Sequence, residues 1–143
     1  MNRSVTTSSN GVFLIAFEWE PDTAYMPSFA APAFDYRSYE GIVLSKENIA
    51  HYIDRPMIGT CLNCMNYFVN REEYLKVWDG SIDPHTADSI FQNYNWLKAG
   101  NRIRIVKGLT YNHRIHEGSH YKNNHQKTGN LYEEIMQKLR ELK

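Results

Sequence analysis

An α/β layered domain, with a mixed sheet flanked by helices, is what this 143-residue sequence predicts. Three observations lead there. Short apolar runs, "GVFLIAF" (11–17) and "RIRIVK" (102–107), have the length and branching of buried strands. Apolar residues recur at helical spacing at Ala87, Ile90, Phe91, Tyr94 and Leu97, and again at Leu131, Ile135, Leu139 and Leu142. Capping residues stand ahead of such stretches, and strands alternating with helices build layered sheets.

Taken in order, residues 1–10 are polar and read as a frayed start. The first strand follows at 11–17 and ends in the acidic "EWEPD". Pro21, Pro27 and Pro32 make 21–40 an ordered but irregular connection, because proline interrupts both helix and sheet bonding. "GIVLS" (41–45) is a further strand, with Ser45 capping a short helix in "KENIAHYI". "CMNYFV" (64–69) is another strand, and Asn70 and Glu73 have capping-box spacing at the head of the next helix. Asp83-Pro84 starts the helix that Gly100 ends, since a proline lacks only a donor that the first turn leaves unused. "RIRIVK" is closed by Gly108, and Asn130 and Glu133 introduce an amphipathic C-terminal helix over 130–143.

The chain has the length of a single domain, 1–143, without repeats. No run approaches 18 apolar residues, so no membrane span is expected. The N-terminus lacks the apolar core of a secretion signal, and with only two cysteines a reducing, cytoplasmic setting is the default. Net charge is zero but divided: seven Lys/Arg against twelve Asp/Glu in 1–100, and nine against four in 101–143. That polarity suits an anionic ligand near the C-terminal third. The basic residues are neither clustered nor interleaved with aromatics, which argues against a nucleic-acid partner.

Several groups bear chemistry. His113, His116, His120 and His125 follow the last strand within thirteen residues, and imidazole there suits a divalent metal or a phosphate as well as solvent. Cys61 and Cys64 have the spacing of a zinc half-site, with a buried strand cysteine as the alternative. Asp88, one turn inside its helix, lies where the helix dipole favours a carboxylate. Facing a pocket, it could act as a general base; on the surface it would only compensate the dipole. Glu18 and Glu20 share one strand face and could hold a cation.

Residues 59–121 resemble the C-terminal, acceptor-side half of a family 2, GT-A-type glycosyltransferase. "GTCLNCMNYFVNREEYLKV" looks like the strand and helix that follow the donor-binding half. "WDGSIDPHTADSIFQNYNWLKAGNRIRIV" is similar to the acidic turn, base-bearing helix and following strand, and "GLTYNHRIHEGSHY" to the closing loop. The resemblance implies a partial GT-A-like layered domain that moves a sugar from a nucleotide-sugar to a hydroxyl, with inversion. Asp88 would be the catalytic base, and His113 would hold Mn²⁺ or Mg²⁺ on the diphosphate. Trp96, near the place of a family arginine, would bind substrate together with His116 and Ser119 on a mobile loop. The family's nucleotide-binding half and its Asp-x-Asp motif have no counterpart in residues 1–58, where Glu18-Trp19-Glu20 is the only conceivable substitute. A separate chain supplying that half is therefore an implied partner. A non-catalytic carbohydrate-binding module, with exposed Trp19, Trp78 or Trp96 stacking on sugars, and a small metal-binding protein are the other readings.

Overall fold

The computed structural model describes the chain apart from residues 1, 9–11, 32–33, 36, 64–66, 84–86, 113–116 and 118–119. At 2–8, 12–18, 29–31, 34–35, 112 and 120–128 it describes the backbone alone. The fold is mixed α/β. A two-stranded antiparallel sheet pairs β1 (Asn2–Ser8) with β2 (Val12–Glu18). The main sheet has the order β4-β3-β6-β5, from β3 (Thr23–Ala31), β4 (Phe34–Asp35), β5 (Val43–Leu44) and β6 (Arg102–Asn112). β3 and β6 run parallel at its centre, and each carries a short antiparallel neighbour.

The N-terminal residues expected to fray instead form β1. Val5, Thr6 and Thr7 are β-branched, and pairing with β2 satisfies their backbone groups. The stretch expected to be irregular contains a nine-residue central strand. Its tolerance of Pro27 has a local cause. Tyr25 turns its backbone away from β6 to exchange two hydrogen bonds with Phe68, at 2.8 and 2.9 Å. Pro27, two residues on, points its missing donor the same way, beyond that single bridge. The strand expected over 64–69 amounts, among its described residues, to this one bridge at Phe68.

The described residues form five α-helices, four before β6 and one after it: α1 (Ile49–Tyr52), α2 (Ile58–Leu62), α3 (Arg71–Val77), α4 (Asp88–Lys98) and α5 (His120–Arg140). Asn70 caps α3 as its spacing predicts, accepting from the backbone N–H of Glu72 and Glu73 at 3.0 and 3.1 Å. Glu73 itself turns outward to Lys76, 2.7 Å away, instead of closing a capping box. Asp83 is not the cap of α4; that position falls to Ala87, and Gly100 ends the helix region at φ +90° as expected. Ser45 is likewise no side-chain cap for α1; Asn48 braces that turn by accepting from the Ser45 N–H and donating to the Val43 carbonyl. α5 starts ten residues before the Asn130 entry point, at His120.

Ala24, Met26, Leu44, Ile103 and Ile105 present one face of the sheet to Ile49, Ile58, Leu62, Ile90, Leu97, Ile135 and Leu139 from the helices. The alternation of β3 and β6 sends Tyr25, Arg102 and Arg104 to the other face. There Tyr25 stacks on Trp19 at 5.2 Å. Gly59 is the point where α2 meets α5. A side-chain carbon there would run into the Tyr132 hydroxyl and come 2.8 Å from the Met136 sulfur.

β6 does not stop at Gly108. The pairing Pro27↔Val106 resumes at Ser28↔Thr110, so Lys107, Gly108 and Leu109 form a bulge, with Gly108 at φ +77°. Glu40 fastens it: one carboxylate oxygen accepts from the Gly108 N–H at 3.0 Å and the other from the buried Ser28 hydroxyl at 2.8 Å. The Gly108 N–H and then the Ser28 hydroxyl hold the Glu40 carboxyl below its ordinary range, and the charges of Arg37 and Lys107 add to the effect. A folded pKa below the unfolded one gives stability that is complete above the unfolded pKa and is lost as pH falls through the folded one. Urea melts should therefore show stability dropping below about pH 4.5. Glu40→Gln should be less stable at neutral pH and flatter in this acid range. An unchanged acid limb in that variant would show that the carboxylate does not fasten the bulge.

Candidate functional site

Asp88 is the first residue of α4, half-buried, with the Ser89 hydroxyl 3.5 Å from one of its oxygens. Its charge acts on two phenols brought by different segments. Tyr74 comes from α3, and Tyr67 from the extended segment before it; their hydroxyls lie 2.7 Å apart. Burial pushes the Tyr67 phenol far up, and its hydrogen bond to Tyr74 and the nearby Asp88 charge push the same way. Burial also raises the Tyr74 phenol; the bond from Tyr67 opposes this and Asp88 reinforces it. One carboxylate thus acts on both hydroxyls. Tyr74 continues the cluster, its ring centroid 5.6 Å from Trp78 and 6.0 Å from Trp96.

Of the sequence-predicted residues, Asp88 and Trp96 share α4 but lie about 12 Å apart along it. Trp96 is only 1% exposed, and its indole N–H donates to the Arg102 carbonyl at 2.7 Å. Its ring belongs to the core beneath the site, whereas Trp78 is the tryptophan at the surface, 44% exposed. His113, His116 and Ser119 lie outside the described residues, between the end of β6 and the start of α5. His120 and His125 fall on α5, where the backbone alone is described.

The other candidate groups meet structural partners. Glu20 pairs with Arg102 at 3.3 Å and Arg104 at 3.4 Å, so arginines neutralise the carboxylate expected to hold a cation. Asp22 meets Arg102 at 3.0 Å, and that guanidinium's hydrogen bond holds the Asp22 carboxyl below its ordinary range. Cys61 is buried with its thiol 3.5 Å from the Met26 sulfur, in the place of a core residue; Cys64 lies outside the described residues. Among the described residues no three His, Cys, Asp or Glu side chains converge as a metal site. No described helix is long and apolar enough to cross a membrane.

Two features escaped sequence reasoning. The Tyr67–Tyr74 pair has no pattern of its own, because its two residues come from an irregular segment and a helix. The second is Gln92, buried on α4, which accepts from the Asp79 N–H at 3.2 Å and donates to the Asp79 carbonyl at 2.6 Å. Gln92 lies off the apolar face of α4, so no local pattern signalled its burial, and such a buried group must find partners. No protein-family model matches the chain, and no curated protein or solved structure matches it.

Proposed function

We propose that this chain carries the acceptor side of a sugar-transfer reaction, as an enzyme or as one half of one. An acceptor hydroxyl gives its proton to Asp88 while its oxygen bonds to the anomeric carbon of a nucleotide-sugar. The bond from that carbon to phosphate breaks, and the nucleoside diphosphate leaves with the electron pair. The observation that carries the reading is the half-buried Asp88 carboxylate at the head of α4, whose charge acts on the paired Tyr67 and Tyr74 hydroxyls. A carboxylate among neutral donors suits a ligand made of hydroxyls. The sheet with helices on one face would be the acceptor half of a GT-A-like layered domain. A second chain would supply the nucleotide-binding half, and the buried thiol of Cys61 suits a reducing, cytoplasmic setting.

The test uses the purified chain with UDP-glucose or GDP-mannose, with and without Mn²⁺, and follows melting temperature and nucleoside diphosphate release. Binding to the folded state alone raises stability by about 2.7 kcal/mol at a hundredfold excess over Kd. A rise in melting temperature with any donor supports a self-sufficient enzyme. Unchanged melting and no release across the panel leave only the half-enzyme form, which must then respond when a donor-binding chain is added. A non-catalytic glycan-binding module is the second reading, favoured by the exposure of Trp78. Glycan binding that persists in EDTA and in Asp88→Asn, without transfer under any condition, would select it.

A further inference from the structure

The two halves of β6 are held in different ways. In the first half Ile103 and Ile105 pair with Ala24 and Met26 of β3. On its other side Ile105 accepts from the Gly41 N–H at 2.7 Å and donates to the Ile42 carbonyl at 2.9 Å, so this half is pinned from both sides. Beyond Val106 the residues Lys107, Gly108 and Leu109 loop out before Thr110 stands opposite Ser28. Side chains take over there from the strand ladder. The Glu40 carboxylate accepts from the Gly108 N–H at 3.0 Å. The Ser28 hydroxyl, fully buried, lies 2.8 Å from Glu40, 3.0 Å from the Leu109 carbonyl and 3.1 Å from the Thr110 hydroxyl. Its one proton serves the first two, which leaves its oxygen to accept from Thr110.

The same chain has a second register that needs no loop. Ile103 and Ile105 stand on the core face, and their alternation puts Lys107 next on that face. Pairing continued without a break after Pro27↔Val106 sets Lys107 opposite Ser28, Gly108 opposite Phe29 and Leu109 opposite Ala30. Lys107 then takes the place of Thr110, its stem along Ser28 and its ammonium toward Glu40. Ladder bonds to β3 return to the three looped residues. The charged groups that act on Glu40 are Arg37, just before it in sequence, and Lys107. An exposed ion pair between Lys107 and Glu40 is worth little, whereas the bulge gives the carboxylate two charge-assisted hydrogen bonds. The Glu40 charge therefore favours the bulge. A protonated carboxyl has fewer acceptor sites and loses that preference.

We propose that the outer half of β6 is a two-register switch on β3, held in the bulged register by Glu40. Release of Glu40 lets the segment slide by three residues, about 10 Å, until Lys107 replaces Thr110 opposite Ser28. Helix α5 starts at His120, so the slide adds three residues to the chain between the sheet and that helix. The switch is independent of the sugar-transfer reading.

The experiment follows cross-strand nuclear Overhauser contacts of Ser28 in ¹³C,¹⁵N-labelled protein. At neutral pH the wild type should show Ser28 against Thr110. Acidification through the folded pKa of Glu40 should bring in a second set of signals, with Ser28 against Lys107. Glu40→Ala should show that second set at neutral pH already. Gly108→Ala is an arm that leaves Glu40 in place. A side-chain carbon at 108 meets nothing within 4 Å, so alanine adds only the strain of φ +77°. That strain should shift the balance toward the regular register about five- to thirtyfold. Ile103 and Ile105 should keep their contacts in every arm. If the outer half of β6 loses amide protection with no contact between Ser28 and Lys107, the segment frays and the proposal falls. It falls as well if Thr110 stays the only partner of Ser28 in all three arms. A slide in Gly108→Ala that neither acid nor Glu40→Ala produces would take Glu40 out of the device and overturn it.

Discussion

Trp96→Ala should cost about 3–5 kcal/mol of folding stability, measured as a shift in the urea midpoint at constant slope. The side chain is large, 1% exposed, and packed within the cluster that includes Ile90, Leu97 and Ile103. Truncation removes its transfer energy and leaves a cavity where helix α4 meets the sheet. A second loss is hidden in the first. The indole N–H at 2.7 Å is a partner of the Arg102 carbonyl, at the very start of β6. Trp96→Phe separates the two effects, because it keeps most of the ring and removes the donor. It should cost about 1–3 kcal/mol, the penalty for a buried acceptor left without its bond. A domain of this size is stable by only about 5–15 kcal/mol, so the alanine variant should be close to unfolding in mild denaturant. A loss below about 1 kcal/mol in Trp96→Ala would mean that the ring is not in the core. It would return Trp96 to the surface, where a substrate-binding role was expected from the sequence.

The contrast between Trp96 and Trp78 shows where sequence reading succeeds and where it stops. The apolar face of α4 was legible, because Ala87, Ile90 and Leu97 repeat at the helical period and all are buried. Trp96, Gln92 and Asn93 lie off that face and are buried as well. They are enclosed by partners distant in sequence, such as the Leu62 carbonyl that takes the Asn93 amide proton at 2.6 Å. No local period carries that information. Asn70 was legible as a cap because capping is settled within four residues. The strand through Pro27 was not, because a proline is harmless there only once Phe68, forty-one residues later, takes the bond at Tyr25. The bulge at Gly108 is of the same kind. A glycine can end a strand or bend it, and the choice rests on Glu40, whose carboxylate arrives from another connection. For the site, Asp88 was visible as a carboxylate at a helix start, though the helix begins at that residue instead of a turn earlier. The phenols its charge acts on were not, since only folding brings Tyr67 and Tyr74 together.

Asp88→Asn is the change with the sharpest consequence for the proposed reaction. Asparagine keeps the shape of aspartate and cannot take a proton, so transfer should fall by about 10²–10⁴-fold while acceptor affinity is retained. The fold should persist. The lost interaction between a carboxylate and the head of α4 is worth only about 0.3–1 kcal/mol. An independent readout fixes the location of the charge whatever the reaction turns out to be. The Asp88 carboxylate disfavours the phenolate of both Tyr67 and Tyr74, so its removal should bring the ionisation of both down toward the ordinary tyrosine range. Burial still holds Tyr67 high, so the clearer movement should be at Tyr74, followed by ultraviolet titration with Tyr67→Phe as the background. Loss of transfer together with this shift places the base where the phenols are. Loss of transfer with no shift separates the carboxylate from the tyrosine pair and removes the observation on which the reading stands. Full transfer in Asp88→Asn ends the case for Asp88 as the base, because an amide with no charge cannot activate a sugar hydroxyl.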